Sequence, residues 1–438
     1  MDSTLLASEG PSSPDSQSGI ISNQARVSET APLRHINPLS CTLISPVSEL
    51  LKQESVNRLL HHFDKVVVQQ LAWVDSADNP WRNAIIPLAM SFPALFHSAL
   101  ALAAGDIAVK SPVNSLEATN SLALSSKHRN TCLKLLAAEL KSNLNSETHF
   151  EEVQNTTNCM LGTIMLLCNL EMMLPESSQW RLHLWGARTT IRRLGNTSHL
   201  PIPPDTIGSF LLQQFYVTNV CAFMTTFSGI EHMRKDTLTS DGNSIFTEFF
   251  RVLQAITETE RRRSGNPQSF SDQTPKELAD LREALLQARH RTIDLGQKLQ
   301  FWSTKVRREF EHVVDLYQYM ALIYGYRILL CHYRPHDQIT FFKEQIFLRL
   351  RALEGNTAFT QDLVWPIFIA GTESRGIPEQ QSFIEAKMLE VIRLTGPLER
   401  RQALKFLKEY WDLEDELDGG WIEFARRWAE VGNTFLVY

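Results

Sequence analysis

The chain has 438 residues and a mass of 50.0 kDa, which excludes a disulfide-stapled mini-domain and leaves room for a sizeable core. An apolar share of 43%, with Phe 23, Trp 9 and Tyr 8, excludes a chain disordered throughout, because that much apolar surface offsets the entropy of ordering. Lys+Arg 43 against Asp+Glu 49 gives a net charge of −6, so there is no global cationic field for a polyphosphate backbone, and nucleic acid would need a local patch.

In chain order, residues 1–45 are rich in Ser and Pro (Pro11, Ser12, Ser13, Pro14, Ser16, Pro32, Pro38) and carry no apolar period, which predicts a disordered tail. The start has no basic region followed by an apolar one, so no secretory leader is read. From there to residue 438 the pattern is helical, and one all-α domain is expected over 46–438. His61 and His62 are neighbours on a helix, about 100° apart, so they form no chelate and are expected to be exposed. Ala84 to Ala104 are 21 residues without a charge, the length of a membrane span. Pro87 and Pro93 interrupt them, so the reading is two buried helical pieces broken at Ser91-Phe92-Pro93, with no membrane partner.

Further along, Leu133, Leu136, Ala137, Leu140 and Leu144 fall at helical spacing. Arg261-Arg262-Arg263 reads as a solvated charge cluster in a loop over 261–273. Thr274-Pro275-Lys276-Glu277 has a capping threonine, proline at the first helical position and a glutamate that can reach back. Leu278, Leu281, Leu285, Ala288, Thr292, Leu295, Leu299, Trp302 and Val306 alternate spacings of three and four, the stripe that a helix offers to a partner helix. That seam is a candidate homo- or heterodimer interface, although a neighbour in a helical bundle selects the same stripe. Val306, Phe310, Val313, Val314, Tyr317, Ala321, Tyr324 and Ile328 define another helix, apolar almost all round beyond Met320. Gly396-Pro397 ends one helix and opens the next. The acidic and apolar mix from Trp411 to Asp418 reads as the end of an amphipathic helix stopped at Gly419-Gly420. Strand alternation with hairpin turns recurs nowhere, so the fold class is all-α, a large helical bundle or array.

Signatures of catalysis are missing together: no phosphate-binding glycine loop, no zinc-protease helix, no serine-hydrolase elbow. An enzyme is therefore not expected, and no catalytic, cofactor, metal or DNA-binding residue is assigned. Six scattered cysteines suit reduced packing thiols. Cys331, His332 and His336 are the densest group of metal-ligating types, but they lack a fourth ligand at a recognised spacing and read as structural or surface side chains. Trp185 and Trp365 are candidates to line an effector pocket, with ordinary core packing as the other reading.

Four segments together resemble the fungal-specific transcription factor domain. They are Asn79-Pro80-Trp81-Arg82 with the run Ser91 to Ala104, then Trp180-Arg181-Leu182-His183-Leu184-Trp185-Gly186-Ala187, then Val364 to Glu373, and the tryptophan-bearing helices around Trp411 and Trp421. The resemblance implies an all-α fold, residence in the nucleus, and regulation of metabolic, stress-response or secondary-metabolite genes. Its implied partners are the transcription machinery or related regulators. Full-length members of that family bind DNA through six cysteines that hold two zinc ions. The C-x2-C-x6-C half of that motif cannot be drawn from any cysteine here, so zinc enters only with a further segment, and DNA contact is expected through such a segment or a partner chain.

Overall fold

The computed structural model describes residues 46–437 apart from 144–149, 175–178, 198–205, 228–243, 266–273, 302, 331–336, 354, 356, 357, 397, 415–419 and 434. Ile44–Tyr438 form one compact unit. The expected tail over 1–45 lies outside the described residues. Among the described residues there are helices and turns and no strand, as the composition predicts.

The first set of helices is organised by a segment with no polar face. Ahead of it run α1 (Pro46–Leu50), α2 (Glu54–His62), α3 (Val68–Leu71) and α4 (Ile86–Ser91), with π-helical turns at Phe63–Val67 and Trp81–Ile85. Then α5 (Pro93–Lys110) is buried without interruption from Ala94 to Asp106. Pro93 opens it, and Phe92, at φ −123° and ψ 99°, breaks it from α4, as the two prolines predict. The uncharged run is thus a core helix, and no helix among the described residues is long and apolar enough to cross a membrane. Around it stand α6 (Leu116–Asn143), α7 (Phe150–Met173), α8 (Trp180–Thr197) and α9 (Ile207–Thr225), with α6 and α7 directly against α5. Its Ala and Ser content lets them approach closely; Ser125 Oγ on α6 donates to Ala101 O at 2.9 Å.

The second set comprises α10 (Thr247–Gly265), α11 (Thr274–Gln297), α12 (Thr304–Leu329), α13 (Asp337–Ala352), a 3-10 turn at Thr360–Leu363, α14 (Val364–Thr372), α15 (Pro378–Thr395), α16 (Leu398–Trp411) and α17 (Gly420–Glu430). At its centre are α12, buried without interruption from Met320 to Tyr326, and α14, in which all nine residues are buried. Gly396, at φ 84°, ends α15 in the left-handed conformation that glycine adopts without a Cβ clash. Gly420 opens α17, and α16 stops at Trp411, so Gly420 starts a helix where the acidic stretch suggested that it would end one.

Two expectations about charge are corrected. The loop over 261–273 begins later than expected: α10 continues to Gly265, and 266–273 lie outside the described residues. Arg261 and Arg263 are internal wiring rather than part of a solvated cluster, while Arg262 is exposed as expected. Arg261 pairs with Glu260 and donates to Phe223 O (3.1 Å) and Thr226 O (3.0 Å) at the end of α9. Arg263 donates to Ile328 O at 2.8 Å and to Glu277 Oε2 at 2.8 Å, so the glutamate expected to close the α11 cap also holds α10. Helix C-termini expose carbonyls with no partner in the helix, and guanidinium groups satisfy several at once. His62 is likewise not a free surface residue: its Nε2 lies 2.8 Å from Oδ2 of the buried Asp106, which Lys110 Nζ also meets at 2.6 Å.

Where α5 faces α6, His97 and His128 meet Nδ1 to Nδ1 at 2.8 Å, both buried. Burial, then the charges of His97 and Lys127, push His128 down to about 4. A folded-state imidazole held neutral binds fewer protons than the unfolded chain between pH 6.5 and about 4, so stability is full above that window and falls as pH drops through it. From the fall of His128 to about 4, the loss is expected to reach roughly 3 kcal/mol. Urea denaturation at pH 7.5 and pH 4.5 checks this, and His128→Gln should flatten the dependence.

Glycine substitutions should separate packed from open helix faces. A Cβ on Gly371 would stand 2.7 Å from Leu407 Cδ1 and 3.2 Å from Ile384 Cγ2, so Gly371→Val is expected to lose about 2–3 kcal/mol by overpacking. At Gly186 nothing lies within 4 Å, and Gly186→Ala should gain about 0.5–1 kcal/mol from helix entropy. Chemical denaturation of both variants reads the opposite signs.

Candidate functional site

Between the two helix sets lies a cavity of about 100 Å³. Each wall comes from a distant part of the chain. Val67 to Trp73, at the end of the first helical hairpin, form one side; Leu102 and Asp106 of α5 with Met172 and Met173 of α7 form another. Phe250 of α10, Tyr317 of α12, Asp362, Val364, Trp365, Thr395, Glu399, Arg400 and the C-terminal Leu436 and Val437 complete it.

The loop that covers the cavity is held by a short polar network. Trp81 Nε1 donates to Leu71 O at 3.1 Å, and Asn79 Nδ2 donates to Asp75 Oδ1 at 2.9 Å and Val68 O at 3.3 Å. Arg82 pairs with Asp64 (2.8 Å) and Asp75 (3.0 Å). Residues 79–82 of the resemblance are therefore a structural clasp. From the other side, Gln361 Nε2 donates to Ala72 O at 3.2 Å and so ties the 3-10 turn to the loop.

Polar side chains share the cavity wall with apolar ones, Gln70, Asn169, Gln214, Asp362 and Arg400 among them. Tyr317 donates to Asp362 O at 3.1 Å, and Arg400 donates to Thr395 Oγ1 and, at 3.4 Å, to Gln361 O. Burial raises the Asp362 carboxyl well above the ordinary range, against the opposing charge of Arg400. Burial also raises Glu399, opposed by the Trp180 hydrogen bond and Arg181. Trp180 Nε1 donates to Glu399 Oε1 at 2.9 Å, a bond that joins α8 to α16. Two atoms in wall residues have no partner among the described residues: Trp365 Nε1 and Glu399 Oε2. Cys221, also in the wall, is buried, and burial pushes its thiol far up.

Of the two candidate pocket tryptophans, Trp365 lines the cavity while Trp185 stands on the surface with 59% exposure, because α8 turns that side outward. Asp362, Glu399 and Arg400 were not singled out from the sequence. Glu399 sits in the first turn of α16, where an acid reads as an ordinary complement to the helix dipole; no local signal marks it as a wall residue. Among the described residues no three ligating side chains converge on a metal site. Cys331, His332 and His336 lie outside the described residues.

The seam is divided by the fold. α11 ends at Gln297 and α12 begins at Thr304, so Leu278 to Val306 is not one continuous helix, and Trp302 lies outside the described residues. Leu281, Leu285, Ala288 and Thr292 are buried, with the Leu281 side chain filling the space above Gly325 of α12. Leu278, Leu295, Leu299 and Val306 are partly buried.

The profile of the fungal specific transcription factor domain matches residues 58–432, and the chain belongs to that family. Its role is in the regulation of transcription, and the family is not typically enzymatic. Comparison with curated proteins and with solved structures returns no match.

Since Leu285 is fully buried within the chain, Leu285→Ala is expected to destabilise the fold by about 2–4 kcal/mol and to leave the sedimentation coefficient unchanged. Denaturation combined with analytical ultracentrifugation reads both; a stable variant with a changed oligomeric state would make the stripe an intermolecular seam.

Proposed function

We propose that the protein is a nuclear regulator of metabolic, stress-response or secondary-metabolite genes whose helical domain changes its activity when the central cavity or the surface around it is engaged. The match over residues 58–432 supports this reading. The cavity adds to it, because a group bound there touches both helix sets and can favour one arrangement over another through unequal affinity. Contact with DNA comes through a further segment or a partner chain, because the cysteine spacing of the family's zinc-binding reader cannot be drawn from this sequence. Related regulators and the transcription machinery are the expected partners.

The reading is tested by fusing the whole chain to a heterologous DNA-binding domain in a fungal host and measuring a reporter driven by the matching sites. At least a several-fold change in the reporter is expected, together with nuclear fluorescence of a tagged chain. An unchanged reporter from a stably accumulated nuclear fusion would overturn it.

A further inference from the structure

Four indole N–H groups join separate segments of the chain. Trp81 donates to Leu71 O at 3.1 Å, Trp180 to Glu399 Oε1 at 2.9 Å, Trp411 to Gly371 O at 2.8 Å and Trp428 to Glu409 Oε2 at 2.6 Å. Trp365 departs from this pattern. Its side chain is 3% exposed, stacked on Phe368 and edge-on to Tyr324, and its N–H has no partner among the described residues. Glu399 is 9% exposed; one oxygen takes the Trp180 N–H and the other has no partner among the described residues. Both residues line the same cavity. A buried polar atom left without a partner costs about 1–3 kcal/mol, so one orphan donor and one orphan acceptor on one cavity wall mark a place built to receive a complementary pair.

We propose that this cavity binds an uncharged small molecule whose head group offers both a hydrogen-bond acceptor, for the Trp365 N–H, and a donor, for Glu399 Oε2: a carboxamide or a hydroxyl on a short apolar body. The proposal deepens the regulatory reading above by naming the chemistry of the effector. Hydrogen-bonding capacity selects against the alternatives. A carboxylate offers no donor to Glu399 Oε2 and an ammonium offers no acceptor to the Trp365 N–H, while Asp106, Asp362, Glu399 and Arg400 already share the wall. Size limits the ligand as well. An engineered 150 Å³ cavity in another protein takes benzene, so about 100 Å³ limits the ligand to about four to six non-hydrogen atoms. Met172, Met173 and Phe250 supply the apolar surface for an alkyl body.

The test uses the full chain and four probes of one length: butyramide, 1-butanol, butyrate and butylamine, each followed by saturation-transfer NMR and calorimetry. Affinity on the order of millimolar is expected for so few atoms. Butyramide, butanol or both should bind, and the two arms distinguish an amide from an alcohol head. Trp365→Phe, which keeps the ring and removes the N–H, should weaken binding at least tenfold with the thermal transition retained. A second measurement needs no variant. The thermal transition of the unaltered chain should rise with the concentration of the neutral probe and not with that of butyrate. Binding of butyrate or butylamine in preference, failure of all four probes, as for a cavity that holds only water, or binding indifferent to Trp365→Phe in a folded variant would overturn the proposal. A reporter that responds while no probe binds removes this site alone; a probe that binds while the reporter stays silent removes the regulatory reading and leaves the site.

Discussion

A helix with no polar face has to be surrounded on every side, and that constraint shapes this protein. From Ala94 to Asp106 every residue of α5 is buried, and all of α14 is buried as well. Neither helix can lie on a surface without exposing a long apolar strip to water, so each is enclosed by a ring of amphipathic neighbours. A layered bundle needs only one apolar stripe per helix. Helices apolar all round require an array with interior members, and the two interior centres lead to two sets of helices sharing one continuous core.

Where the two sets meet, packing gives way to hydrogen bonds that span long separations in sequence. Trp180 holds Glu399, Gln361 holds Ala72, and Arg261 of α10 satisfies carbonyls at the end of α9. Each is a directional bond from a polar side-chain N–H to a group that would otherwise be unpaired in the interior. The cavity lies along this junction, bounded by side chains from the first helical hairpin to the last residues of the chain. A change of occupancy there acts on groups from both sets at once. That is the physical basis for regarding the domain as responsive, since a ligand shifts a conformational balance only by its unequal contacts with the two states.

The resemblance segments turn out to be structural in character. Asn79 and Trp81 clasp the covering loop, Trp180 ties α8 to α16, and Trp411 ties α16 to Gly371. Tryptophan suits this work because it fills a large volume and carries one directional donor. Trp185 lies outside that pattern, exposed on α8, and its neighbour Gly186 has open space beside it.

Local pattern alone determined the helices. The breaks at Pro93 and Gly396, the continuous burial of the Ala-rich run and the apolar sides of α12 all follow from residue spacing and backbone chemistry, which act over a few residues. The same local logic misread Arg261 and Arg263, because adjacent charges look solvated until the carbonyl ends of α9 and α12 are brought to them. It also saw a partner stripe in Leu281 and Leu285 without telling a second chain from α12 of the same chain. Asp362, Glu399 and Arg400 carry no mark in the sequence, since their burial comes from walls contributed by residues hundreds of positions away. The period of the chain thus decided which segments are helices and which sides are apolar; tertiary structure decided which polar groups meet, which stay unpaired and where the cavity lies, because long-range packing creates those environments and no short window of sequence contains them.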